Sequence, residues 1–321
     1  MSRIVTFGEI MLKLSAEEYR RLEQTNRLGV EFSGAEANVA VSLSRFGADV
    51  CFVTKLPKND WGESAITCLR QHGVDTRFIS RGGERIGIYF SEKGASQRPS
   101  KVLYDRKHSS IAESNPVDFD WELIFEGVKW FHFTGITPAL SKTTALICEQ
   151  ACVEAKKRGI TISCDLNYRS KLWSSEEAKR ELTKLCEYVD VCIANETDSM
   201  DVFGLSSEKL KDVFSFKFVC VTQRESYSAS DNGWSAIMYT NNGVIRSPKY
   251  DIHIVDRIGG GDSFAAGLIY GLINNWEEQR ALNFAVAASC LKQTIEGDFN
   301  LVTVSEVEDL MNGNSSGRIQ R

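Results

Sequence analysis

At 321 residues, with 42% hydrophobic and 10% aromatic side chains, the chain can bury one extended α/β core or two small ones. A formal net charge of −5 and the absence of any basic stripe exclude a nucleic-acid polyanion as the main partner, while local arginines leave room for anionic metabolites. Nine cysteines without a CxxC pair, and no secretory leader at the start, point to reduced thiols in the cytoplasm, and no apolar run reaches the roughly 20 residues of a membrane span.

In chain order, Arg3 to Ile10 reads as a buried strand, followed by short strands at Met11 to Leu14 and Val30 to Ser33. Glu36 to Phe46 carries apolar residues at helical spacing and stops at Gly47. Cys51 to Thr54 is predicted as strand, Trp61 to Gln71 as helix and Arg77 to Ser80 as strand. Ile86 to Ser91 and Lys101 to Asp105 flank a polar turn and predict a hairpin. Strands at Trp130 to Thr134, Ile160 to Cys164, Val189 to Ala194 and Phe218 to Val221 then alternate with helices at Lys142 to Arg158 and Ser175 to Glu187. That rhythm implies right-handed βαβ units and a mostly parallel sheet with helices on both faces. Shorter strands at Ser226 to Ser230 and Ser235 to Tyr239 precede helices at Ser263 to Asn274, Glu277 to Gln293 and Ser305 to Met311. Residues 313–321 form a polar tail expected to fray.

The most informative segment is Gly259-Gly260-Gly261-Asp262, placed directly before an apolar helix. Glycines let the backbone approach a ligand closely, and a helix start offers unpaired N–H groups and positive potential, so the loop suits a phosphoryl group. Read more plainly, Asp262 is only an N-cap and the glycines a tight turn. No Walker A loop, no GxGxxG after the first strand and no protein-kinase signature is present. Cys148 and Cys152 lie one helical turn apart, but His72, His108, His132 and His253 are scattered and give no zinc spacing. In an open α/β sheet ligands bind beyond the carboxyl ends of the strands, where Asp165 to Arg169 and Asn195-Glu196 fall.

Taken with Gly34-Ala35-Glu36-Ala37-Asn38, Asn195-Glu196-Thr197-Asp198 and Asp256 to Ser263, the chain resembles the ribokinase-like (PfkB) carbohydrate kinases over nearly its whole length. Asp165 to Arg169, Tyr104-Asp105-Arg106 and Gly297 to Asn300 are most similar to the members that phosphorylate 2-keto-3-deoxygluconate on carbon six. The resemblance implies a single kinase domain over 1–312, an α/β three-layer sandwich with a mostly parallel central sheet and a small β lid from about 11–33 and 85–106. It implies ATP and Mg²⁺ as cofactors, a sugar acid as substrate and a homodimer joined through the lids.

The resemblance also assigns roles. Asp262 becomes the catalytic base, kept ionised at an ordinary pKa by the helix start, with the N–H groups of Gly259, Gly260 and Gly261 as anion hole. Gly34, Tyr89, Tyr104, Arg106, Arg169 and Asp298 match substrate positions, and two arginines favour an acid over a neutral sugar because a guanidinium fork grips a carboxylate at two points. Asn167, Asn195, Thr222, Arg224, Gly259 and Gly261 fall on the ATP side, and Glu196 is the residue that holds Mg²⁺ through water. A monovalent cation is a further candidate, which Arg257 and Ile258 argue against by replacing the family's common pattern. A kinase of fructose or another neutral sugar, and a non-catalytic sugar-binding regulator, are the other readings.

Overall fold

The computed structural model describes residues 3–314. Six strands run parallel in the order Asp49–Val53, Arg3–Phe7, Val128–Thr134, Thr161–Asp165, Val191–Ala194 and Phe218–Ser226. Asp231–Thr240 adds to the last of them antiparallel and itself pairs with Gly243–Arg246 and Tyr250–His253, completing a nine-stranded sheet. The parallel strands read as continuous apolar runs because both of their faces are covered. Val50 and Phe52 pack into one core with the helices Ala35–Arg45, Asp60–Gln71, Gly260–Ile273 and Glu278–Lys292. Cys51 and Val53 point the other way, into a second core with Lys142–Lys157 and Ser175–Cys186. The result is a three-layer α/β sandwich. All nine cysteines are free, and eight are buried. Among the described residues no helix is long and apolar enough to cross a membrane.

A separate four-stranded sheet is built from Leu28–Ser33, Met11–Ala16, Gly87–Glu92 and Lys101–Asp105, in that spatial order. Alternation gives it two different faces. The cross-strand row Val30, Leu14, Phe90, Leu103 lies on one face, and the row Glu31, Lys13, Tyr89, Tyr104 on the other.

Several boundaries differ from expectation. The first strand ends at Phe7, since Gly8 is pressed against the Glu36 carboxylate, where a Cβ would come within 2.1 Å. The strand expected at Arg77 to Ser80 shrinks to Ser80–Arg81, paired with Lys55–Leu56. Ser226 to Ser230 is mostly a turn, because the preceding strand runs on to Ser226 as half of a long hairpin. Helices Glu196–Phe203 and Ser207–Phe214 were not predicted. Of the polar tail at 313–321, all but the first two residues lie outside the described residues.

Candidate active site

The glycine helix begins at Gly260, three residues earlier than its apolar stripe indicates, with Gly259 as its N-cap at φ 84°. That left-handed angle favours glycine, and a Cβ at Gly259 would lie 2.0 Å from the Asp298 carbonyl oxygen. Asp262 is therefore the third helical residue and not a cap. The N–H groups of Gly259, Gly261 and Asp262 donate to no protein acceptor among the described residues, whereas that of Gly260 reaches the Arg257 carbonyl at 3.3 Å. The donors left free for an anion at the helix start are thus those of Gly259, Gly261 and Asp262, the Gly260 N–H dropping out of the expected set because it closes the preceding turn.

Asp262 is half-buried, and its Oδ2 accepts from Asn38 Nδ2 at 2.7 Å. Asn38 is in turn oriented through its Oδ1, which accepts from Gly34 N at 3.3 Å. Asn38, part of the Gly34-Ala35-Glu36-Ala37-Asn38 motif, is thus a further functional candidate, to which the resemblance assigns no role. Its signal in the sequence is an Asn amid the apolar positions of a helix that also buries Glu36 and Ser42. Gly34 is required by a close approach, since a Cβ there would stand 1.9 Å from the Glu9 carbonyl oxygen. Burial raises the Asp262 pKa to about 6, offset in part by the Asn38 hydrogen bond, with Asp298 raising it and Arg169 and Lys292 lowering it. The carboxylate is therefore not at the ordinary pKa expected from the helix start alone, although it remains mostly ionised at neutral pH.

Asp165, at the carboxyl end of its strand, is pushed further, to about 8, by burial and then by Asp198 and Asp262. Both acids are raised, Asp165 further than Asp262, so Asp165 keeps its proton to higher pH and Asp262 is the readier proton acceptor of the two. Arg169 Nη1 donates to its neighbour's carbonyl, Tyr168 O, at 3.1 Å, and its charge lowers the pKa values of Asp165, Asp198 and Asp262. Asn167 is buried at φ 39°, with no hydrogen bond from its side-chain amide among the described residues.

The helix after Asn195 sorts its two acids differently from the sequence expectation. Asn195 caps it, accepting from Asp198 N at 2.8 Å. Glu196 is exposed, and its carboxylate accepts from Ser207 N at 3.2 Å, at the start of the next helix. Asp198, two residues on, is buried, accepts from Tyr168 N at 3.3 Å and is pushed up by burial. The carboxylate on the cleft side is Asp198, because the first residue of a capped helix points outward and the third turns back toward the cap. Among the described residues no group of three or more His, Cys, Asp or Glu is placed to hold a metal. Asp198, a buried carboxylate with no ion pair to Lys or Arg among the described residues, fits an ion such as Mg²⁺, which keeps waters and is carried mainly by substrate phosphates.

On the small sheet, Tyr89 and Tyr104 face the cleft as an aromatic pair with centroids 5.8 Å apart. Arg106 is buried and donates through Nε to Glu9 Oε2 at 2.8 Å, with Nη2 on the same oxygen. Its charge is already paired, which weakens it as a carboxylate site. Asp298 departs further from its expected role. Its Oδ1 takes Lys13 Nζ at 2.6 Å, its Oδ2 takes the Ser33 and Tyr89 hydroxyls, and it is 4% exposed. Buried and holding three donors, Asp298 ties the small sheet to the glycine loop, with one acceptor site of its about four left uncommitted. Lys13, which no motif singled out, also reaches Glu31 at 3.0 Å and Asp256 at 3.7 Å. Thr222 is half-buried on the last parallel strand, and Arg224 is exposed near Arg257, whose pKa is lowered first by burial and then by the Arg224 charge. These two stand at the rim beside the loop.

A base beside unpaired N–H donors, with cations at the rim, can take a proton from a hydroxyl and steady an anion in transfer. That chemistry, at the carboxyl edge of a doubly covered parallel sheet, defines the molecule as an α/β phosphotransferase. Comparison with known proteins gives the family. The pfkB family carbohydrate kinase model matches residues 1–301, and the chain belongs to that family. It is 50% identical to the 2-dehydro-3-deoxygluconokinase of Thermotoga maritima, whose crystal structure superposes with a TM-score of 0.95 over 97% of this chain and 98% of that one. It is 34% identical to a 2-dehydro-3-deoxygalactonokinase of Haloferax volcanii, over 98% of each chain. A fructokinase of Xylella fastidiosa, solved with bound ATP, shares the fold at 21% identity, with a TM-score of 0.82 over 98% of this chain and 99% of that one. The protein is a sugar kinase of the PfkB fold.

Proposed function

We propose that the protein transfers the γ-phosphoryl group of ATP to the 6-hydroxyl of 2-keto-3-deoxygluconate, giving 2-keto-3-deoxy-6-phosphogluconate and ADP. The observation that carries this reading is Arg169: a guanidinium whose hydrogen bond within the protein goes only to Tyr168 O among the described residues, close enough to Asp262 to lower its pKa. A planar cation with its fork open suits a substrate carboxylate, while Asp262 suits a hydroxyl at the other end of the same small molecule. The names of the sugar-acid relatives at 50% and 34% identity support the same class.

In the reaction Asp262 takes the hydroxyl proton as the new oxygen–phosphorus bond forms and the bond to ADP breaks. A loose phosphoryl-transfer transition state asks mainly for placement and charge stabilisation, and the Gly261 and Asp262 N–H groups supply donors to it. Such donors contribute on the order of 3 kcal/mol each where they have been measured. Asn38 fixes the base, and Asn167 and Asn195 line the phosphate side. Mg²⁺, when bound with the nucleotide, would offset charge on the phosphate oxygens, and Asp198 is the residue that fits its water shell. The small sheet serves as a lid over the sugar, with Tyr89 and Tyr104 against it. Its apolar outer face favours pairing with the lid of a second copy.

One observation favours a neutral sugar instead: Arg106 is already neutralised by Glu9. Replacement of Arg169 by Ala separates the two readings. KM for 2-keto-3-deoxygluconate is expected to rise at least tenfold in a coupled ADP assay while any turnover of fructose changes little. An equal effect on both substrates would favour the neutral-sugar kinase.

A further inference from the structure

Two lysines are buried around the glycine loop, and their surroundings differ. Lys13 is saturated by carboxylates, with Asp298, Glu31 and Asp256 all within 4 Å. Lys292, the last residue of its helix, is 0% exposed, and its Nζ donates to one acceptor, the Asp256 carbonyl oxygen, at 3.1 Å. Among the described residues no carboxylate pairs with it directly. An ammonium carries three donors, so a charge lies buried here with one neutral partner. Burying a cation so sparsely satisfied is costly, and an apolar side chain of similar length would pack in its place without that cost.

The position of Lys292 is specific. Its Cε would be 3.3 Å from a Cβ on Gly259, directly under the loop. On the same helix end, Ser289 Oγ donates to Gly260 O at 2.7 Å, and the Gln293 carbonyl accepts from Val255 N at 2.9 Å and Asp256 N at 3.2 Å. Burial is the largest influence on Lys292 and pulls its pKa down; of the charged groups that face it, Asp256, Asp298 and Asp262 favour the ammonium and Lys13 opposes it. An anion held by the N–H groups of Gly261 and Asp262 would supply the negative charge that the protein does not place within ion-pair distance.

We propose that Lys292 is a cation built into the floor of the glycine loop, a positioning residue that holds the loop through Asp256 and lends positive charge to the phosphoryl group above it. The proposal rests on the phosphotransfer reading given above. It also means that the loop needs no free monovalent ion, in keeping with Arg257 and Ile258 at the preceding positions.

The test compares full-length wild type with Lys292→Met and Lys292→Ala. The Met variant is expected to keep or raise Tm, to bind ATP at least tenfold more weakly by calorimetric titration, and to lose at least tenfold in kcat/KM. Its acid limb, set by Asp262, is expected to move to higher pH, since one of the two cations that favour the ionised carboxylate is gone. The other groups acting on Asp262, namely Asn38, Arg169, Asp298 and Asp165, stay in place. The Ala variant is expected to recover turnover when K⁺ or ethylammonium is added, whereas wild type is indifferent to both. Titration and turnover of the Met variant within threefold of wild type with an unmoved acid limb would overturn the proposal. So would a loss of activity that follows a loss of Tm without cation rescue, or failure of both variants to fold, because each makes the ammonium a structural prop. If wild type phosphorylates no sugar or sugar acid, the phosphotransfer reading fails, and the ATP titration with Tm still judges Lys292.

Discussion

Asp262 and Asp165 occupy one cleft, and burial lifts both, to about 6 and about 8. As the proposed base, Asp262 must be ionised to accept a proton, so kcat/KM is expected to climb as pH rises through about 6 and then to level off. A pH–rate profile in excess Mg-ATP checks this, and an acid limb near the ordinary carboxylate value, about 4, would contradict it. Asp262 itself was legible in the sequence because three glycines and an acid before an apolar helix form a local signal. Its raised pKa was not, since burial raises it and the groups that then adjust it, Asn38 and Arg169 downward and Asp298 upward, lie elsewhere in the chain. The exchange of Glu196 for Asp198 is a different case. Once Asn195 is recognised as a cap, helical geometry turns the third residue inward, but an unpredicted helix hid that inference. Asp298 and Arg106 stand out in the sequence only as single motif residues; their partners Lys13, Ser33, Tyr89 and Glu9 come from other segments of the chain, and no spacing reveals such pairing.

The glycine loop fixes the shape of the site through one residue in particular. Gly259 combines a positive φ with the Asp298 carbonyl 2.0 Å from any Cβ, whereas a Cβ at Gly261 would meet nothing within 4 Å. Gly259→Ala is therefore expected to cost more than about 1 kcal/mol of stability, visible as a lower Tm. It should also reduce turnover sharply as the loop shifts. Gly261→Ala, by contrast, should fold with nearly the wild-type Tm. Equal melting temperatures for wild type and Gly259→Ala would contradict this account of the loop. At this scale the sequence served well wherever an element is long and apolar, as in the strands Val128–Thr134 and Thr161–Asp165. It failed at Gly243–Arg246 and Tyr250–His253, short edge strands that are mostly exposed and carry no apolar run.

The whole molecule is a two-core sandwich with a second sheet projecting at the site. The alternation that turns Lys13 and Tyr89 toward Asp298 also leaves Val30 and Leu103 on the opposite face, each 53% exposed. They belong to an apolar row crossing all four strands, and contiguous apolar surface of this kind marks an interaction site. We expect a dimer by sedimentation analysis and a monomer once Val30 and Leu103 are both changed to Asp; a wild-type monomer would remove the lid-pairing proposal. The α/β rhythm and the place of the second sheet could be read from the chain because they follow from periodicity. The joining of that sheet to the loop could not, because it is made by a few buried charges.

We propose that Asp262 removes the proton from a sugar-acid hydroxyl while the glycine loop holds the transferring phosphoryl group. The direct measurement is ADP release by Asp262→Asn and wild type with 2-keto-3-deoxygluconate and Mg-ATP, alongside calorimetric binding of ATP to both. The account predicts a loss of kcat of about 10²–10⁴-fold in the variant, with ATP binding preserved. Turnover by Asp262→Asn within a few-fold of wild type would contradict it.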